Sequence, residues 1–284
     1  MEFELDAEQR MLRRSVRETV AKVRVRSERR QWETYVGLGW LEAPPFELAL
    51  ILEELGYAAD PTPFLATTTW FAPLAGRLPE GVGTAVFDGA GNYVLDADRA
   101  DEVALLTADG VTIVPGARLA ARRVAVLDPH LHVAHVEASE LAVGVPDLAL
   151  TGLAATTVGA CRRILDLVLA HVKQRTQFDQ VLGSFQAVKH KAADMHVAIE
   201  RARALTYFSA LTIAEDDPRR TSAAHMAKAA AGECQRVVLR NGLQLFGAMG
   251  FTWENELQLH LKRAQACELL LGTASAHRKA LLTA

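Results

Sequence analysis

The stretch Arg175-Thr176-Gln177-Phe178-Asp179-Gln180-Val181-Leu182-Gly183-Ser184-Phe185-Gln186 decides the reading of this chain. Upstream of it, apolar residues recur at helical spacing from about Leu148, and the pattern ends at Arg175. Downstream, a second helical pattern runs from Ser184, a capping residue type, to Ala214. The segment is therefore a junction between two long helices. An arginine fork beside the free N–H groups of a helix start suits phosphate oxygens, and Phe178 offers a face to a flat ring. Arg175 would equally serve by neutralising the C-terminal end of its own helix, which is the commoner use.

Two more helices follow. Asp217-Pro218 opens a third through HMAKAAAGECQRVVLRNGLQLF, closed by Gly247 and Gly250. A fourth runs from about Trp253 to Leu271 and stops at Gly272, with a short tail helix beyond. Four long amphipathic helices with short loops predict an antiparallel bundle over residues 146–284. Gly247, Ala248 and Gly250 also leave room for close approach to the backbone, by a ligand or by a packed helix end.

Residues 77–145 change character to glycine and β-branched residues and predict a small antiparallel β module. TAVFDGAGNYVL holds two short strand-like runs. EVALLTADGVTIVP reads as a hairpin with Asp109-Gly110 in a type I′ turn. RRVAVLD and LHVAHVEA add two further strands. Residues 1–76 read as helical, with Asp6 and Gln9 in a capping box and FELALILEELG as a helix that Gly56 ends. Pro61, Pro63 and Pro73 predict a broken or looped segment from Ala58 to Pro73. The fold class is α+β, mostly α.

Composition bounds the function. The chain has 284 residues, 50% hydrophobic and 23% charged, with a net charge of −3. That balance belongs to a folded globular protein and gives no reason to expect nucleic acid as a partner. Cys161, Cys234 and Cys267 are scattered, so a disulfide framework and a zinc site are not expected, and a reduced cytoplasmic setting fits. There is no HExxH, no GxGxxG loop and no GxSxG elbow. No run of about 18 apolar residues suggests a membrane span.

Together the motifs resemble the acyl-CoA dehydrogenase family. RTQF…FQAVKHKAADM is similar to that family's arginine-x-glutamine-phenylalanine…phenylalanine-glutamine junction, and HMAKAAAGE to its third bundle helix. QLFGAMGFTWENELQLHLKRA is similar to its glutamine-x-x-glycine-glycine-x-glycine segment. MEFELDAEQRMLRRSVR and ELALILEELG resemble its N-terminal helices. The resemblance is good over 147–284, fair over 1–76 and weak between. It implies the family's three-part fold, with the N-terminal helical part cut short between Gly39-Trp40 and Pro44-Pro45. It implies FAD across a subunit interface. Arg175, Gln177, Phe178, Phe185, Gln186, Gln244, Gly247 and Ala248 would hold the adenosine and pyrophosphate half of a neighbour's FAD.

The departures bear on chemistry. Where the family has a basic glutamate followed by glycine and threonine, this chain reads Leu271-Gly272-Thr273. The family's second location for the base reads Ala149, with Leu150 at the substrate-binding arginine. Glu268 and Asp147 are the nearest acids, and an ordinary surface role for Glu268 is favoured over that of a shifted base. The family's threonine-glutamate-proline and tryptophan-isoleucine-threonine segments, which hold the flavin ring, have no counterpart. The pattern resembles the short partner subunits of two-gene actinobacterial acyl-CoA dehydrogenases, several of which handle steroid side chains. It implies an α2β2 heterotetramer in which a longer subunit carries the glutamate and this chain, inactive alone, shares the FAD site. The alternatives are a self-sufficient FAD enzyme using Glu268 and a non-enzymatic scaffold.

Overall fold

The computed structural model describes residues 5–88, 93–138, 140–177, 179–252 and 255–283. Helix α1 (Ala7–Val23) opens on the expected capping box: Asp6 Oδ1 accepts from the Gln9 N–H at 2.8 Å, and Gln9 Oε1 accepts from the Asp6 N–H at 3.1 Å. Helix α2 (Glu28–Gly37) follows. Helix α3 (Pro45–Ala58) starts with Pro45 at its first position, where the missing N–H costs nothing.

Gly56 does not end α3. The helix runs two residues further, and Ala59 takes the left-handed turn at φ 53°. The physical reason lies across the interface, because a Cβ on Gly56 would sit 2.8 Å from Thr156 Cα on a neighbouring helix. Here glycine serves helix approach, not capping.

The segment expected to be broken is looped only over residues 59–63; beyond it lie α4 (Phe64–Ala66) and a π turn (Thr67–Phe71), both buried, and then α5 (Ala72–Ala75). Its prolines fall where helices accept them, Pro63 at a cap and Pro73 in a first turn. The Thr68 and Thr69 hydroxyls donate to the carbonyls of Phe64 and Leu65, and Trp70 and Phe71 are fully buried.

The strands are β1 (Gly83–Val86), β2 (Tyr93–Leu95), β3 (Glu102–Thr107), β4 (Gly110–Pro115), β5 (Ala121–Val124) and β6 (Val133–Val136). They form two three-stranded sheets, β1-β3-β4 and β2-β6-β5. The module is not wholly antiparallel: β1 pairs parallel to β3, Gly83 opposite Glu102. Because β2 leaves for the other sheet, the chain returns beside β1 in the same direction. The β3–β4 hairpin is present, with Thr107 opposite Gly110, but its two-residue loop is Ala108-Asp109. Neither loop residue has positive φ, so the turn is not type I′; Gly110, at φ 116°, takes that conformation just after it.

Helix α6 (Asp147–Gln174) is the central rod. It is followed by a two-residue hairpin, β7 (Thr176–Gln177) and β8 (Gln180–Val181), then α7 (Gln186–Ala214), α8 (Arg220–Phe246), α9 (Leu257–Leu269) and α10 (Ala274–Leu281). One core of Val158, Ile164, Val168, Met195, Val238 and Leu261 joins α6 to α7, α8 and α9. No helix among the described residues is long and apolar enough to cross a membrane.

Candidate functional site

Arg175 is the first residue past α6. Its ψ of 125° turns the chain out of the helix, its N–H still bonds His171 O, and its carbonyl accepts from the Leu182 N–H at 2.8 Å. The β7–β8 hairpin then places Gln177 opposite Gln180. Ser184 does not cap α7. Its hydroxyl donates back to Val181 O at 2.7 Å and fastens the 3₁₀ turn Leu182–Ser184, while Phe185 takes the cap position and Gln186 starts the helix. Arg175, Gln177 and Gln186 are exposed and Phe185 is half-buried. Phe178 lies outside the described residues.

The second glycine-bearing segment comes to the same end of the bundle. His171, one turn before Arg175, stacks on Phe246 at 4.5 Å between ring centroids. Burial and the nearby Arg175 charge both lower the His171 pKa. Gly247, directly after Phe246, ends α8 at φ 64°, and Ala248 beside it is exposed. Lys191, on the second turn of α7, donates to Gln244 Oε1 at 2.8 Å. That bond fixes the amide so that its NH2 group remains free to donate.

Some arginines elsewhere are ion-paired, as in Arg163–Glu256, Arg203–Glu53 and Arg263–Asp128. Arg175 makes no ion pair among the described residues, as is also true of Arg13, Arg26 and Arg30. Arg175 and the Lys191–Gln244 pair are donors of the kind that suits phosphate oxygens.

Leu271 sits elsewhere, on the loop between α9 and α10, buried and at φ 57°. It lines a groove of about 520 Å³ between the β2-β6-β5 sheet and the last turn of α9. Among the described residues, Tyr93 and Gln265 supply its polar side chains, and no charged side chain lines it. A flavin ring carries carbonyl oxygens and ring nitrogens along one edge. This lining does not fit that edge.

Glu268 is not the surface charge expected. It is 9% exposed, its Oε1 accepts from the Ala274 N–H at 2.8 Å, and it thereby caps α10. It points into the α8 face, where a Cβ on Gly232 would overlap it. Asp147 accepts from Thr221 Oγ1 at 3.1 Å at the start of α6, and Ala149 and Leu150 are buried in the core. Sequence reasoning missed Lys228 and His277. Lys228 Nζ donates to Glu268 O at 2.9 Å and Gly272 O at 2.8 Å, and His277 Nε2 donates to Leu271 O at 2.9 Å. The one available signal was a lysine on the alanine-rich face of HMAKAAAGE.

A family model described as acyl-CoA dehydrogenase, C-terminal domain, matches residues 149–284. The acyl-CoA dehydrogenase IpdE2 of Mycolicibacterium smegmatis is 36% identical over 241 residues, covering 80% of this chain and 74% of that protein. The chain belongs to the acyl-CoA dehydrogenase family. Members of this family are FAD-dependent oxidoreductases acting on CH–CH bonds. IpdE2 of Mycobacterium tuberculosis is 35% identical, covering 79% of this chain and 73% of its own. The fold extends over the full length. The ChsE4–ChsE5 complex of M. tuberculosis aligns with a TM-score of 0.84 at 20% identity, covering 100% of this chain and 98% of that one. Butyryl-CoA dehydrogenase of Megasphaera elsdenii aligns with a TM-score of 0.83 at 18% identity, covering 100% and 99%.

Proposed function

We infer that this chain is the non-catalytic subunit of a heteromeric acyl-CoA dehydrogenase, completing the FAD site of a longer subunit that carries the basic glutamate. The observation that supports it most is an asymmetry within one molecule. The bundle end keeps the family's motif residues Arg175 and Gln244, the latter bonded by Lys191. The base position holds Leu271 in an uncharged groove. Abstraction of a proton α to a thioester carbonyl needs a positioned base, and leucine has no lone pair to accept it.

In this reading Arg175 and the outward Gln244 amide grip the pyrophosphate, Gln177, Phe185 and Gln186 flank the adenosine, and Gly247 and Ala248 leave room for the backbone to approach it. Phe178 belongs to the same set by its place in the motif. FAD bound there supplies the hydride acceptor for desaturation at the partner's site. The resemblance implies an α2β2 heterotetramer; the scattered cysteines fit a cytoplasmic setting, and the division at 1–76, 77–145 and 146–284 follows the changes of sequence pattern. The two-component ChsE4–ChsE5 complex supports such an assembly. A structural neighbour described as a steroid ACAD supports a steroid side-chain CoA ester as substrate.

The test is co-expression with the longer acyl-CoA dehydrogenase. The lone chain should be colourless and inactive; the complex should be yellow and active. A charge-assisted bond from Arg175 is worth about 1.5–3 kcal/mol, roughly ten- to a hundredfold in affinity. Arg175→Ala should therefore strip FAD from the complex while the subunits stay together on gel filtration. Glu268→Gln should leave turnover within about twofold, since an amide oxygen still accepts the Ala274 N–H. Full flavin in Arg175→Ala with turnover abolished by Glu268→Gln would make this chain the catalytic one.

A further inference from the structure

Helix α10 is fastened to the rest of the chain by polar groups. Its two buried residues are Ala274 and His277, and an alanine has little side chain to bury. His277, 5% exposed, is therefore the anchor. No described residue of α10 belongs to the bundle core of Val158, Ile164, Val168, Met195, Val238 and Leu261. An apolar anchor would hold the helix equally at any pH. A histidine holds it only in the right protonation state.

Two bonds fix that state. His277 Nε2 lies 2.9 Å from Leu271 O, so this nitrogen carries a hydrogen and donates it. His277 Nδ1 lies 2.7 Å from Nδ1 of His225 on α8. One hydrogen fits between two nitrogens at that distance, and two do not. With both rings neutral, His225 donates to His277. One added proton goes to His225 Nε2 and leaves the Nδ1–H in place; burial opposes it, and the charge of Asp147 at the start of α6 favours it. A second added proton sets N–H against N–H.

The surroundings do not welcome that second charge. Lys228 on α8 is 1% exposed and already brings an ammonium to the same loop, where it donates to Glu268 O and Gly272 O. Glu268 on α9 accepts from the Ala274 N–H through Oε1, and its Oε2 lies 3.8 Å from Lys228 Nζ. Asp147 is shared with Arg220, 3.5 Å away. On α10 itself, Arg278 turns to Glu233 of α8, and Lys279 is exposed. Burial first, then the charges of Lys228 and His225, lower the His277 pKa to about 4. A freed histidine titrates near 6.5. Between these values a detached α10 binds more protons than a docked one, so acid favours detachment.

We propose that His225 and His277 form an acid-sensitive latch, whose double protonation frees α10 from α8 and releases the loop over residues 270–273. Detachment breaks the bond from His277 to Leu271 O and takes the Ala274 N–H away from Glu268. The long helices keep their own core. The latch belongs to the fold of this chain and stands whether or not the flavin site is shared.

Hydrogen–deuterium exchange of the purified full chain, corrected for the intrinsic pH dependence of exchange, tests it. The docking equilibrium should weaken roughly fiftyfold between pH 7 and 4.5 from His277 alone. Protection over residues 277–282 should therefore fall at least tenfold, while the middle of α8 stays protected. His225→Asn supplies an amide that donates to neutral His277 and, turned over, accepts from the protonated ring. Its α10 should stay protected to at least one pH unit lower than in the wild type. His277→Gln can still donate to Leu271 O and takes up no proton, so its protection should be the same at both pH values. Unchanged wild-type protection at pH 4.5 would overturn the proposal. So would loss in His225→Asn at the wild-type pH, an arm that decides the matter even if His277→Gln fails to dock. Loss of protection in α7, α8 and α10 at one common pH would also overturn it, because the bundle would then be unfolding as a whole.

Discussion

Lys228 shows how a single side chain can carry a measurable signature of its setting. Burial lowers its pKa from the usual lysine range to about 8, opposed by the charges of Glu268 and Cys267. An unfolded lysine titrates near 10.4. Between these values the unfolded chain binds more protons than the folded one, so the stability owed to this group rises with pH. Below pH 8 the buried ammonium is charged and its desolvation weighs against the fold; above about 10.4 both states are neutral and the penalty is gone. The difference in unfolding free energy between wild type and Lys228→Met should therefore rise by about 3 kcal/mol from pH 8 to 10.5. Urea titrations at four pH values read it directly, and a flat difference would mean the ammonium is not desolvated in solution. His277 points the same way at lower pH. Burial first, then the charges of Lys228 and His225, lower its pKa to about 4. It stays neutral near pH 7, and its Nε2–H donates to Leu271 O. His277 Nδ1 is then the acceptor, so the His225 Nδ1–H donates to it at 2.7 Å.

Helices α3 and α6 cross where each supplies a glycine. Gly56 faces the Thr156 backbone, and Gly159 faces Glu53 O, with Tyr57 N 2.7 Å from where its Cβ would lie. Backbone cannot give way as a side chain can, so Gly56→Ala and Gly159→Ala should each cost about 3 kcal/mol. Gly37 in α2 is the control: it is exposed, with nothing within 4 Å of its Cβ position. Gly37→Ala should stabilise by about 0.5–1 kcal/mol, by lowering unfolded-state entropy. Thermal melts of the three variants check both signs. The same crossing explains what was legible in the sequence. The long helices α1, α3 and α6 to α9, the capping box of Asp6 and the junction at Arg175 are local patterns and were readable from spacing. The role of Gly56 was not, because a glycine near a helix end looks the same whether it caps its own helix or admits another. Nor was the burial of Glu53 and Glu54 in ILEELG. It depends on Arg162, donating to Glu53 at 2.6 Å and to Glu54 at 2.9 Å from more than a hundred residues away. Ser184 was misread for a related reason: its hydroxyl is taken by Val181 O before it can reach α7.

Arg263 ties distant parts of the chain together. From α9 it donates to Asp128 Oδ2 at 2.5 Å and Asp60 O at 2.9 Å, reaching the loop before β6 and the segment after α3. Arg263 is 3% exposed and Asp128 fully buried. The loop so held leads into β6 and one wall of the groove beside Leu271. This clamp could not be read from the sequence, because Arg263 also reaches Ala59 O, 204 residues away. The motifs that named the family were readable, each being a short local run of sequence. Breaking the clamp from one side leaves a buried charge. Arg263→Met strands the Asp128 carboxylate and should cost about 3–5 kcal/mol. Asp128→Asn alone strands the guanidinium and should cost a similar amount. In the double variant no net charge is left buried, an apolar side chain meets an amide, and much of that loss should return. The coupling between the two changes should exceed about 2 kcal/mol, well above the few tenths expected for independent sites. Urea unfolding of the four proteins in the cycle measures it. Strictly additive losses would mean that the pair is not formed in solution, and that the loop and α9 meet through apolar contacts alone.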